Sequence, residues 1–420
     1  MALRILALSH YFPPEVNAPA SRMYEHCRQW AQDGHDVTVV TCVPNHPRGE
    51  VYPGYRNRPF WREEKDGIHI VRVWTYVTAN EGFLKRSFNY VFYMVAATAA
   101  TAFLPRADVV ISTSPQFFNG LAGYFVAAMK RAPWILEIRD LWPESIRVVG
   151  AVKNAWMIRA LERLEMFAYR NADAIVPVTE AFRRYMIGKR IAPGKIEVIT
   201  NGVDLDFFEE TTDGVPNDDE LPLQGKFVCS YFGTHGMAHH LETVMEAAAI
   251  LKERDDIVFL LVGDGAERKR LNTMRLQMGL DNVVMLGQQA KGRMPLLWRR
   301  SSASMVLLKR SELFKLVIPS KIFESMAMRR PIILGVDGES RQIVEQARAG
   351  LCIEPENAAE LARRVVELAD DRQLCAQLGA NGRSYVAEHY DRIALARKYE
   401  DLMSRVVSRG ACRAVAAGSS

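Results

Sequence analysis

The chain has 420 residues, 49% of them apolar and 25% charged, and a formal net charge of +5. That length exceeds one ordinary hydrophobic core and predicts two domains, while the composition excludes a disordered or fibrous chain. The basic excess is too small to argue for nucleic acid and suits anionic substrates or an anionic membrane surface. Six scattered cysteines without CxxC or CxxH spacing exclude a disulfide frame and a zinc site, and predict reduced thiols in a cytoplasmic protein. The opening residues run straight into strand and loop, so no signal peptide is expected.

In chain order, buried strands are predicted at Arg4–Ser9, Val37–Cys42, Ile68–Trp74, Val109–Thr113, Trp134–Ile138, Ala174–Pro177 and Ile196–Ile199. Helices fall between most of them, the first over Arg22–Gln32. The acidic, aperiodic stretch "EETTDGVPNDDELPLQGK" reads as a linker. A second series follows at Phe227–Phe232, Val258–Val262, Val283–Leu286, Ala303–Leu308, Ile332–Leu334 and Leu351–Ile353. Such alternation predicts an α/β fold of two parallel-sheet lobes, with ligands at the carboxyl ends of the strands. The final "RGACRAVAAGSS" predicts a disordered tail.

Phe88–Leu104 is a run of 17 uncharged residues, short of the ~20 needed to span a bilayer. It reads either as a buried helix or, with Lys85, Arg86 and Arg106 beside it, as a helix for an anionic bilayer interface.

The loops carry the candidate chemistry. "SHYFPPEVNAPASRM" lies where a nucleotide-binding α/β protein usually places glycines, yet has none; it offers Glu15, Asn17 and Ser21. In "YFGTHG", Gly233 and Gly236 bracket Thr234 and His235, with bare amides and a helix expected just after to face an anion. A plain strand-to-helix turn is the alternative. "LVGDG" repeats the layout at Gly263, where a structural turn is again the alternative. In "IPSKIFESM", Ser320 is the expected N-cap of a helix over Lys321–Met328. Lys321 in its first turn opposes the helix dipole, which an anionic ligand would explain. Glu324 sits among Ile322, Phe323 and Met326 and needs a partner, either vicinal ribose hydroxyls or a salt bridge. "EIRDLWPES" brings Glu137, Arg139, Asp140 and Glu144 to a strand end, for a ligand or for mutual pairing such as Arg139 with Asp140. No metal-ligand spacing and no G-x-S-x-G appears.

These segments, with "FPPE", "VITNGVDLDFF" and "PSKIFESMAMRRPII", together resemble the family 4 glycosyltransferases of the GT-B fold over nearly the whole chain. Within them the chain looks most like bacterial L-fucosamine (N-acetyl-L-fucosamine) transferases of O-antigen or capsule assembly. The resemblance implies two Rossmann-like domains facing a central cleft: 1–205 for the acceptor, a linker at 206–225, and 226–385 for the nucleotide-sugar. It also implies a helix over 386–408 crossing back, before a disordered 409–420. It implies a retaining transfer from a UDP-sugar to an undecaprenyl-pyrophosphate-linked saccharide, without a metal or other cofactor, at the inner face of the cytoplasmic membrane. Glu324 matches the second acid of the family's E-x7-E motif and would hold the ribose; the first falls on Leu316. Thr234 and His239 stand where relatives carry Arg and Lys, leaving Lys309, Lys315 and Lys321 to face the diphosphate. Asn17, Ser21, Gly233, His235, Gly236, Gly263 and Ser320 complete the implied donor set, and Arg139, Asp140 and Glu144 the catalytic one. An epimerase of the same fold and a catalytically silent nucleotide-sugar binder remain open readings at this point. A dehydrogenase would need G-x-G-x-x-G after a first strand, which neither lobe has.

Overall fold

The computed structural model describes residues 2–46, 49–78, 83–114, 117–144, 147, 154–209 and 223–418. The chain divides into two units, one of residues 1–200 with 392–420 and one of residues 201–391. The boundaries therefore fall at 200/201 and 391/392, where the sequence reading expects 205 and 386. The expected linker lies mostly on residues 210–222, outside the described residues.

The first unit runs β1 Arg4–Leu8, α1 Ala18–Gln32, β2 Asp36–Cys42, β3 Phe60–Lys65, β4 Ile68–Val73, α2 Phe83–Thr101, β5 Val109–Thr113, α3 Phe117–Lys130, β6 Trp134–Ile138, α4 Ala155–Asn171, β7 Ala174–Pro177 and α5 Glu180–Gly188. Its seven-stranded sheet has the order β3-β4-β2-β1-β5-β6-β7. All neighbours pair in parallel except β3 with β4. The central strands read as unbroken apolar runs because helices cover both faces. Strand β3, "FWREEK", escapes that pattern: it is an edge strand with solvated charges and was not foreseen. The expected strand at Ile196–Ile199 lies beside β7, with the Glu197 and Ile199 N–H groups donating to the Ile175 and Pro177 carbonyls (3.0 and 3.2 Å), but forms an isolated Ile175–Ile196 bridge and no strand. Its neighbour β7 ends in Pro177, which has no N–H to extend a ladder.

The second unit runs α6 Leu205–Glu209, β8 Phe227–Phe232, α7 Glu242–Ile250, β9 Ile257–Val262, α8 Arg268–Gln277, β10 Val283–Leu286, α9 Met294–Arg300, β11 Ala303–Leu307, α10 Lys321–Ala327, β12 Ile332–Gly335, α11 Glu339–Gln346, β13 Gly350–Cys352, α12 Ala358–Asp370 and α13 Arg372–His389. The six strands are parallel in the order β10-β9-β8-β11-β12-β13. The last helix, α14 Arg392–Gly418, belongs to the first unit. There Trp30 of α1 donates its indole N–H to the Ala396 carbonyl (3.0 Å), and Tyr399, Leu402 and Met403 join the core. This helix starts later than the expected 386 and continues through residues expected to be disordered; alanine and arginine there favour helix.

In each sheet one strand is the point from which connections leave in opposite directions: β1 in the first, β8 in the second. Ligand loops belong at the carboxyl ends of such strands.

Candidate active site

In the second unit the loops after β8 and β11 meet at the switch point. Strand β8 is fully buried and ends at Phe232; Gly233 follows at φ +138°. Its backbone N–H donates to the Val262 carbonyl (2.9 Å), and that of His235 to the Asp264 carbonyl (2.9 Å). A Cβ on Gly263 would lie 1.9 Å from the Gly233 carbonyl oxygen, so only glycine lets these turns meet. Gly233 and Thr234 remain exposed and Gly236 half-buried. The helix expected just after Gly236 begins only at Glu242, because residues 237–241 form a turn. The expected bare amides of Gly233 and His235 are therefore bonded to the neighbouring loop, and no helix N-terminus lies directly behind the turn.

Over this turn stands Lys321. A Cβ on Gly233 would lie 3.0 Å from its Nζ, and the Nζ sits 3.9 Å from the centroid of the Tyr231 ring. That ammonium is buried and makes no hydrogen bond among the described residues. Burial pulls Lys321 down to about 7, opposed by the Glu324 charge one turn along the same helix. The Tyr231 hydroxyl donates to the Thr234 carbonyl (2.8 Å), tying the ring to the turn. His235 is buried with neither ring nitrogen hydrogen-bonded among the described residues, and burial pulls it down to about 4. His239 shares a 3.3 Å Nδ1 hydrogen bond with the Leu307 carbonyl and is held at about 3, chiefly by burial. Both imidazoles are neutral at pH 7. The assembly is a buried cation above an exposed turn.

Ser320 occupies the N-cap position of α10, but its side chain makes no capping bond. The Lys309 backbone N–H donates to the Ala238 carbonyl (2.8 Å), joining the two loops. Lys315 lies on the surface and bonds Glu312 (2.6 Å). Leu316 ends a short 3-10 turn.

In the first unit the loop after β1 is held by Glu15. Its buried Oε1 accepts from the backbone N–H groups of Asn45 and His46 (2.9 Å each), and burial pushes the carboxyl up to about 7. Asn17 caps α1, its Oδ1 accepting from the Ala20 N–H (2.9 Å), while its Nδ2 is buried with no hydrogen-bond partner among the described residues. Ser21 lies in the first turn of that helix. Glu137 is fully buried, paired with Arg22 of α1 at 3.2 Å and accepting from the Thr113 hydroxyl at 2.9 Å. Burial alone would push its carboxyl up, but Arg22 and Arg139 hold it below the ordinary range. Arg139 donates its backbone N–H to the Ser114 hydroxyl (2.8 Å), while its Nε and Nη1 are buried with no hydrogen-bond partner among the described residues. Burial draws Arg139 down to about 9. Asp140 lines a small cavity with Ser114, Trp142, Glu165 and Tyr169. Glu144 pairs with Arg147.

Thus Gly233, Thr234, His235, Gly236, Gly263 and Lys321 gather at one end of the second sheet, with Glu324 a turn beyond. Asn17, Ser21, Arg139 and Asp140 lie at the carboxyl end of the first. Sequence reasoning missed the Arg22–Glu137 pair and Tyr231. The signal for the pair was Arg22 among the apolar positions of α1. Among the described residues, no three His, Cys, Asp or Glu side chains are grouped to hold a metal.

Two Rossmann-like units, each with its candidate loops at the switch point, define the GT-B class. Residues 17–202 match the family model described as Glycosyl transferase 4-like domain, and residues 219–385 match Glycosyl transferases group 1. The chain belongs to these family 4/group 1 glycosyltransferases. It is similar to WcaI of Escherichia coli (strain K12), a protein named as a colanic acid biosynthesis glycosyl transferase. The two are 24% identical over 376 residues, 86% of this chain and 90% of that one. Among solved structures it is similar to the sucrose-phosphate synthase of Thermosynechococcus elongatus, with a TM-score of 0.75 and 18% identity over 97% of this chain and 100% of that one. It is also similar to Anabaena HepE in complex with UDP-glucose, with a TM-score of 0.68 and 16% identity over 96% of this chain and 100% of that one. The structural likenesses show the fold.

Proposed function

We propose that the chain transfers a sugar from a UDP-linked donor to a lipid-pyrophosphate-linked saccharide, in the assembly of a surface polysaccharide such as O-antigen or capsule. An N-acetyl-deoxy-amino sugar such as N-acetyl-L-fucosamine is the donor sugar we assign. The observation that carries the reading is the buried, hydrogen-bond-deficient Lys321 ammonium above the Gly233 turn. HepE has been solved with UDP-glucose, which supports a UDP donor here, and the name of WcaI supports a polysaccharide product.

As the bond from the anomeric carbon to the phosphate oxygen breaks, negative charge develops on the departing diphosphate. Lys321 meets that charge without reorganising. The acceptor hydroxyl attacks the same face, and its proton passes to the departing phosphate oxygen, so configuration is retained without a protein base or a metal. Glu324 takes the ribose hydroxyls; Asp140 and Arg139 border the sugar or acceptor.

The lipid-linked acceptor calls for a membrane contact. Among the described residues no helix is long and apolar enough to cross a membrane. Helix α2 buries Tyr90, Tyr93 and Ala97 but exposes Phe88, Phe92 and Val95 (58%, 41% and 58%) beside exposed Lys85. Neither α2 nor α3 contains an acidic residue. We assign this face to peripheral docking on an anionic bilayer.

Calorimetry of UDP against uridine tests the donor site. Lys321→Met should remove most of the advantage of UDP over uridine, about 1.5–3 kcal/mol for a charge-assisted bond. Equal loss for both ligands would make Lys321 structural and overturn the reading.

A further inference from the structure

Tyr231 belongs to no part of the donor machinery assigned above, yet it is built into it. It is the penultimate residue of β8, its side chain fully buried. Its ring face lies 3.9 Å below the Lys321 ammonium, and its hydroxyl is fixed on the Thr234 carbonyl at 2.8 Å. The same ring meets His239 edge-on at 5.8 Å and His235 at 6.0 Å, both between ring centroids. A buried ammonium with no hydrogen-bond acceptor favours losing its proton or swinging away. The negative face of an aromatic ring is the element beneath it that opposes both outcomes.

We propose that Tyr231 is a positioning residue for sugar transfer, its ring holding the Lys321 ammonium charged and aimed over the Gly233 turn where the donor diphosphate binds. The inference rests on the assignment of Lys321 to that diphosphate.

The titratable groups around Lys321 are Glu324 on its own helix, Tyr231 from β8, and His235 and His239 from the following turn. Both histidines are neutral above pH 6, because burial holds them at about 4 and about 3. Glu324 supports the charge but supplies no hydrogen bond to the Nζ. Tyr231 is therefore the contact whose loss moves the titration of Lys321 with no new charge introduced.

The test is calorimetry of UDP-glucose and uridine with the full chain between pH 6 and 9. UDP-glucose is used because its phosphates do not titrate there. In the wild type, the advantage of UDP-glucose over uridine should fade as pH rises and Lys321 loses its proton. Tyr231→Phe, which keeps the ring, should leave that midpoint in place. Tyr231→Leu should lower it by about one pH unit, so that the advantage is near wild type at pH 6 but falls about tenfold at pH 8. Should Tyr231→Leu fail to fold, phenylalanines of increasing fluorination at position 231 keep the volume and weaken the ring face. The midpoint should then fall stepwise with fluorination. A midpoint unmoved by Leu or by fluorination would overturn the proposal. Lys321→Met separates the two claims. If it abolishes the advantage while the Tyr231 variants leave the midpoint fixed, Tyr231 alone is wrongly assigned. If Lys321→Met leaves the advantage intact, the donor reading itself falls.

Discussion

Replacing Lys321 with Met should make the protein more stable while removing its hold on UDP. The lysine is carried from an ordinary 10.5 to about 7 by burial. Taken alone, that displacement corresponds to an upper figure of roughly 4 kcal/mol against folding at pH 7. The Lys321 side chain is only partly buried as a whole, so screening and relaxation bring the net cost to about 2 kcal/mol. Methionine fills similar space with no charge, so the variant should recover about that amount. In a unit of this size the gain raises the melting temperature by about 4–8 °C. The pH dependence fixes the sign. Between about 7 and 10.5 the unfolded chain holds the lysine proton and the folded chain does not, so wild-type stability climbs with pH across that window. The variant lacks this term, and its advantage should shrink from pH 7 to pH 10. Thermal unfolding of both proteins without ligand, at pH 7 and near pH 10, measures it. A variant no more stable than wild type at pH 7, or an advantage constant with pH, would refute the argument.

Breaking a buried ion pair should act in the opposite direction. Arg22→Met leaves Glu137 charged in the core and should cost about 3–5 kcal/mol at pH 7 by chemical denaturation, with Glu137→Gln in the same chain restoring part of it. Because Arg22 helps hold Glu137 below its ordinary range, the deficit should lessen as pH falls and the carboxyl is protonated; a deficit that grows on acidification would contradict the pairing. Glu324→Ala should lower kcat/KM by about 2–4 kcal/mol through lost ribose bonds, and unchanged kinetics would remove that role. Wild-type protein should float with anionic liposomes at low salt and Lys85→Glu/Arg86→Glu should not; equal flotation of both would end the docking assignment.

The fold was legible because its strands are short apolar runs between amphipathic helices, and both faces of each sheet are covered. The failures share a cause: they depend on partners far away in sequence. Strand β3 reads as charged surface until β4 is beside it. The Ile196–Ile199 segment has the composition of a strand, yet Pro177 denies it a ladder. Lys321 was legible because a cation in the first turn of a helix is locally unfavourable, a conflict visible without coordinates. Lys315 offered the same charge, and only the structure shows it tied to Glu312. Glu137 was recognised as needing a partner, but nothing within its own segment points to Arg22, 115 positions earlier. Tyr231 looked like one more apolar residue in a buried strand; its role depends on which residue crosses its face.

Every residue role assigned above depends on sugar transfer itself. The full chain, a panel of UDP-sugars including UDP-N-acetyl-L-fucosamine, and an undecaprenyl-pyrophosphate-linked saccharide form the assay, with the anomeric configuration of the product read by NMR. One glycolipid should form per UDP released, with the configuration of the donor retained. A protein that binds UDP-sugars yet forms no glycoside with any of them, or one that inverts the anomeric centre, would contradict it.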